Sequence, residues 1–107
     1  MKTRMLLLSA AIALVPVLAV AQNPSAVQKA FMDVHQKMMA DMSKPASGDA
    51  DKDFASMMIP HHQGAIDMAK IELKYGRDAN LRAMAEKMIK DQEKEIADLT
   101  AWQKSHR

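Results

Sequence analysis

The sequence predicts an all-α protein, a small antiparallel helical bundle of three to four helical pieces. Three observations predict it. The chain of 107 residues holds only 3 Gly and 4 Pro. No stretch alternates apolar and polar residues with the period of two that a half-buried strand requires. Apolar residues recur instead at spacings of three and four, the pattern of helices with one buried face.

The first 21 residues stand apart. Lys2 and Arg4 precede an apolar run from Leu6 to Val20, and Ala19-Val20-Ala21 gives the small-x-small pattern that signal peptidase cuts after. The run is short and poorly flanked for a membrane span. The expectation is a cleaved secretory signal over residues 1–21 and a helical domain over 22–107, with an uncleaved N-terminal anchor as the second reading. Such a chain works outside the cytoplasm, periplasmic or secreted from a bacterium, with no stable membrane insertion after cleavage.

Asn23 is placed to cap a first helix with Pro24 at its first position, running to about Met42. Its apolar stripe is Val27, Ala30/Phe31, Val34, Met38 and Met42. Residues 43–50, SKPASGDA, are loop chemistry. A second helix is expected from about Asp51 to Tyr75, with Gly76 as a left-handed stop. Pro60 has no N–H for the carbonyl of Ser56, which predicts a kink or 3₁₀ joint between Phe54–Ile59 and His61–Tyr75. Asp78 then caps a third helix with the stripe Leu81, Met84/Ala85, Met88/Ile89, Gln92, Ile96, Leu99 and Trp102. Aromatic bulk is scarce, at 2 Phe, 1 Tyr and 1 Trp. A core this thin usually needs a staple, and with no cysteine that leaves a metal or a second copy of the chain.

Composition removes several function classes. Lys plus Arg is 15 and Asp plus Glu is 13, and setting aside Lys2 and Arg4 leaves 13 of each sign. A neutral body has no electrostatic footprint for nucleic acid. The absence of Cys excludes disulfides, thiolate metal sites and thiol nucleophiles. Asp49, Asp51 and Asp53 imitate the start of a calcium loop, but Phe54 stands where glycine is required and Pro60 where glutamate is required. They read as helix-capping charge. No Glu-x-x-His occurs to support a di-iron carboxylate bundle, and no nucleophile elbow, zinc-protease motif or phosphate loop is present. Ser56 has histidines near it in sequence but no acid to orient them, so an enzyme is not expected.

The surplus is methionine, 11 in all. The densest cluster is Met57-Met58-Ile59-Pro60-His61-His62, followed by Met68. Met57 and His61 are four apart, as are Met58 and His62, which sets thioether beside imidazole on a helix. His35, Met38, Met39 and Met42 repeat the theme on the first helix at offsets 0, 3, 4 and 7. Met84 and Met88 on the third helix are expected to point at the same interior. A single Met on an apolar stripe is usually core filling. Here three of the four histidines have Met three or four residues away, and that co-occurrence raises metal binding above core filling. His106, near the C-terminus, reads as a surface residue. Neutral sulfur with imidazole and no thiolate suits Cu(I) or Ag(I) better than hard cations.

The stretch from Asp51 to Gly76, DKDFASMMIPHHQGAIDMAKIELKYG, resembles the central motif of the DUF305 family of secreted bacterial proteins, and Leu81, Ala85, Gln92, Glu95, Ile96 and Trp102 resemble its second half. The resemblance covers nearly all of the chain after the leader. It implies a ferritin-like four-helix bundle and copper binding in the periplasm. Carried to this sequence, it implicates Met57, Met58, His61, His62 and Met68, then His35, Met38, Met39 and Met42. It further suggests that Gln92, with Glu72 or Glu95, either holds an imidazole N–H or makes interhelical hydrogen bonds, and that Gly64 admits a neighbouring helix or the His61 ring.

The expected function is a periplasmic protein that binds Cu(I), with Cu(II) and Ag(I) as further candidates, for sequestration, tolerance or handover to other periplasmic copper proteins. The alternative is a non-catalytic adaptor or oligomerisation module whose Met-rich face packs on a partner protein. A metal-assisted redox enzyme is a third, weaker reading.

Overall fold

The computed structural model describes residues 23–107, so the expected leader lies outside the described residues. Three helices account for nearly all of them: α1 (Pro24–Met42), α2 (Ala50–Tyr75) and α3 (Ala79–Ser105). No strand occurs among the described residues. Nor is any helix there long and apolar enough to cross a membrane. The chain is a small antiparallel helical bundle.

Each helix starts where a polar side chain meets its first free N–H groups. Asn23 Oδ1 accepts from Ser25 N and Ala26 N at 3.1 and 3.2 Å. Asp49 accepts from Lys52 N at 3.0 Å and Asp78 from Leu81 N at 2.8 Å. Such caps stabilise a helix by about 1 kcal/mol each. Asp53 reaches back to the loop instead, accepting from Ser47 N at 2.7 Å, Ser47 Oγ at 2.8 Å and Gly48 N at 3.0 Å. That wraps the turn in which Gly48 takes φ +86°, a conformation glycine adopts freely. Asp49 and Asp53 therefore cap the helix and its turn, and Asp51 adds acidic charge to the first turn.

Two local details of α2 differ from expectation. The helix stays α-helical through Pro60, so the 3₁₀ joint, one of the two forms expected there, does not occur. Ser56, whose carbonyl loses its partner, is exposed, so water can replace the missing donor. Gly76 is not left-handed: it has φ −71° and ψ 154°, and the chain leaves α2 extended. Gly76 N still donates to Glu72 O at 2.7 Å, and two further carbonyls at this end are bonded from outside. Arg82 Nη1 donates to Leu73 O at 2.7 Å and to Gly76 O at 3.2 Å. A cation at a helix C-terminus also complements the helix dipole.

The arrangement of the three helices follows from two residues of α2. Gly64 faces α1, where Met38 lies so close that a Cβ on Gly64 would sit 2.5 Å from its Sδ. His62 faces α3, where its Nε2 meets Glu95 Oε2. Two residues apart on a helix turn about 200°. α1 and α3 therefore flank α2 on opposite sides, and they make no close backbone contact with each other. Further contacts fix the direction of α3: Ser56 meets Gln103 and Leu73 meets Arg82, so α3 descends as α2 rises.

The buried apolar residues are Ala55, Ile66, Ala69, Ile71 and Ala85, and only Ile66 is a large side chain almost fully enclosed. Four Lys–Asp pairs at i, i+4 line the outside. Exposed pairs of this kind contribute only about 0.2–0.5 kcal/mol each, so packing on α2 must hold the bundle. The interior is thin, as the scarcity of large side chains implies.

Candidate metal centre

The row of helices leaves α2 with two open sides. One carries Lys52, Ser56, Gln63 and Lys70, and it is polar. The other carries Phe54, Met57, His61 and Met68, at helical spacing. The neighbours agree. Gln103 of α3 joins Ser56 on the polar side, and the small groove that holds Lys37 of α1 includes Gln63 and Asp67. Phe31, His35 and Met42 of α1 and Met84 and Met88 of α3 then turn toward the other side. One broad face of the protein thus collects thioethers and imidazoles.

The shared interior expected from the sequence does not form within one chain. Met84 is 57 % exposed and Met88 47 %, so neither points inward. α3 rotates Ala85, Ile89, Gln92, Ile96 and Leu99 onto α2 and leaves the two methionines on its shoulder. The first helix is likewise separated from the third by the full width of α2. Met38 is half-buried over Gly64, which confirms that Gly64 admits a neighbouring helix. Met42 is half-buried, whereas His35 and Met39 are exposed.

Within the motif the two i, i+4 pairs differ in setting. Met57 and His61 face outward and are exposed, while Met68 is half-buried beside them. Met58 and His62 face the seam with α3. They line an open cleft of about 360 Å³ with Phe54, Glu95, Asp98 and Leu99. The rings of His61 and His62 stand 6.2 Å apart and tilted by 60°, as neighbours on a helix must diverge.

His62 is the one buried polar residue among those described, 8 % exposed. Its Nε2 is paired with the Glu95 carboxylate, and its Nδ1 is buried with no hydrogen-bond partner. A carboxylate accepts only, so Nε2 carries the proton toward it, and the neutral ring then has its lone pair on Nδ1. Leaving such a buried acceptor unpaired costs about 1–3 kcal/mol. Imidazoles that ligate metals commonly donate their other ring N–H to a carboxylate, and the His62–Glu95 contact has that form, with Nδ1 as the nitrogen left over. Of Gln92 with Glu72 or Glu95, the residues expected either to hold an imidazole N–H or to make interhelical hydrogen bonds, Glu95 is the one that meets His62. Gln92 is half-buried, and its Oε1 also lacks a partner. Asp98 was missed by sequence reasoning. Its position three residues after Glu95, on the same face, was the available signal. His106 is exposed as expected, but it stacks on Trp102 with ring centroids 4.2 Å apart.

No three His, Asp or Glu side chains cluster closely enough among the described residues to hold a metal ion. The donors that do lie beside the imidazoles are thioethers. Fold and site together define a small helical protein with a Met- and His-rich face and one carboxylate-oriented buried histidine. Residues 16–103 match the family model described as "Domain of unknown function (DUF305)", which is most of the chain, and the protein belongs to that family. No curated protein matches the chain.

Proposed function

We propose that this protein binds Cu(I), and by the same chemistry Ag(I), through Met and His side chains of the Met57–His62 segment, in the periplasm or outside the cell. The observation that carries the reading is the state of His62. Its Nε2 is committed to Glu95, its buried Nδ1 has no partner, and the Met58 thioether shares its cleft. A neutral imidazole nitrogen and a thioether need no strong base to be freed for binding; the thioether selects a soft ion such as Cu(I), and imidazole binds copper as well. Met57, His61 and Met68 on the outward face, with His35, Met38, Met39 and Met42 of α1, supply further donors. Binding, holding and releasing copper is the activity; no chemical transformation is assigned. The secretory leader at residues 1–21 gives the address, and a four-helix, ferritin-like arrangement would require a helix beyond the three described.

The test is an anaerobic competition titration against a chromophoric Cu(I) chelator. It uses the chain purified from the periplasm of an expressing bacterium, with its N-terminus read by mass spectrometry. Stoichiometric withdrawal of Cu(I) by the parent, weakened about tenfold or more in His62→Ala, is the expected result; tenfold corresponds to about 1.4 kcal/mol. A parent that cannot compete at any chelator strength overturns the reading.

A second reading, an adaptor whose Met-rich face packs on another protein, is favoured by a different observation. Phe54, Met57, Met84 and Met88 are exposed together rather than enclosed. Met57→Leu and Met58→Leu separate the two readings. Such swaps nearly conserve volume and should cost less than about 1.5 kcal/mol. Copper binding predicts lost affinity with the fold retained, and an adaptor predicts little change in either.

A further inference from the structure

The Met-rich face is larger than a monomer usually leaves open. Phe31 is 38 % exposed, Met39 51 %, Phe54 61 %, Met57 45 %, Met84 57 % and Met88 47 %. With the half-buried Met58 and Met68 among them, these side chains leave apolar surface of the order of several hundred Å², at the upper end of what monomers leave open. The core beneath is thin, with Ile66 and Ile71 as the large buried side chains among the described residues. The three helices lie in a row around α2, so the face has no cover from the described chain itself.

From these observations we infer that a second copy of the chain docks on this face and completes the copper site there; the inference rests on the copper reading above. Three features single out a second copy. The exposed apolar area is of the order that a standard interface buries as its apolar part. The domain holds 13 basic and 13 acidic residues, so two copies do not repel each other through net charge. The third is incompleteness: Met57 and His61 are an outward-facing pair of soft donors on the middle helix of the row, with no carboxylate or histidine cluster around them to finish a site. A two-fold axis over the face presents the same pair from the partner, because an isologous contact uses one patch twice. Two thioethers and two imidazoles then meet between two layers of three helices. The apolar surface of Met84, Met88 and Phe31 is buried around them, which keeps water from the ion.

The experiment compares the parent, Met84→Glu and Phe31→Glu, each purified from the periplasm. Sedimentation equilibrium gives the mass with and without Cu(I), circular dichroism checks helix content, and Cu(I) competition gives the bound equivalents. Neither substituted residue belongs to the donor set. The inference predicts a dimeric parent and helical, monomeric variants that lose the copper held between chains, weakening Cu(I) competition about tenfold or more, the equivalent of about 1.4 kcal/mol. A parent that stays monomeric with copper bound overturns it, whether the face is covered by a retained leader or awaits another protein. Helical monomeric variants that bind Cu(I) as tightly as the parent also overturn it, and both of these results leave the copper reading standing. A dimeric parent that binds no Cu(I) overturns the copper reading instead, and with it the shared site. If Met84→Glu alone loses helix content, Phe31→Glu on α1 decides.

Discussion

His62 on α2 and Glu95 on α3 form an imidazole–carboxylate pair 33 residues apart in sequence, with the imidazole buried and the carboxylate open to solvent, and no other ion pair described in the structure joins two helices. The pair fixes the face that α3 presents, and it decides which nitrogen of His62 is free. Glu95→Gln keeps an acceptor oxygen and should cost under about 1 kcal/mol, whereas Glu95→Ala strands the imidazole N–H and should cost about 1–3 kcal/mol. Urea unfolding measures both. Ring ¹⁵N shifts of the metal-free protein should report the Nε2–H form of His62; the Nδ1–H form would contradict the assignment.

Met38 and Gly64 make the corresponding contact on the other side of α2. A Cβ on Gly64 would lie 2.5 Å from Met38 Sδ and 3.2 Å from Met38 Cβ, so α1 or its methionine must shift. Gly64→Ala gains about 1 kcal/mol of helix propensity but meets an overpacking cost of about 1–3 kcal/mol. The net should be a modest loss of stability in the parent and a gain of about 0.5–1 kcal/mol in a Met38→Ala background, from the propensity term alone. A double-mutant cycle by denaturation reads that reversal of sign. The same sign in both backgrounds would mean the contact is not tight.

Arg82 ties the end of α2 to the start of α3. Arg82→Met retains the stem and removes both hydrogen bonds to Leu73 O and Gly76 O. Hydrogen bonds from a charged donor are worth about 1.5–3 kcal/mol, and the loss should appear as a lower urea midpoint. Amides near Tyr75 should also exchange faster. An unchanged midpoint would show that water caps this end equally well.

The Ser47–Asp53 turn should respond to acid later than an ordinary aspartate would. The backbone N–H of Ser47, then its hydroxyl, hold the Asp53 carboxyl below the usual aspartate range, with burial opposing and Gly48 N–H adding to the effect. A folded pKa below the unfolded one means that the stabilisation is present above the unfolded pKa. It is lost as pH falls through the folded value. Carboxyl shifts followed against pH should show Asp53 titrating low, and Ser47→Ala should move it back toward the ordinary value. Titration at or above the usual range would contradict the geometry.

Much of this was legible in the sequence, because helix boundaries and stripes are local. Asn23-Pro24, Asp49 and Asp78 declare the three starts, and Gly64 declares a close helix approach. The extended exit at Gly76 and the absence of a 3₁₀ joint at Pro60 were not legible, because the groups around them, Arg82 and solvent at Ser56, act through space rather than along the chain. The convergence of three methionine helices was misread because periodicity gives a face for each helix but not the angle between faces. Only Met38 on Gly64 and Glu95 on His62, together, show that α1 and α3 lie on opposite sides of α2. Of the candidate ligands, the i, i+4 pairs were legible, and the inward turn of Met58–His62 against the outward turn of Met57–His61 was not.

The central claim is that sulfur and imidazole together hold a soft ion at the Met57–His62 segment. X-ray absorption at the copper edge of the Cu(I)-loaded chain reads the ligand shell itself. The account predicts sulfur and nitrogen scatterers in the first shell of the parent, less sulfur in Met58→Leu and less nitrogen in His62→Ala. A shell of nitrogen and oxygen alone, or one that neither substitution alters, would contradict it.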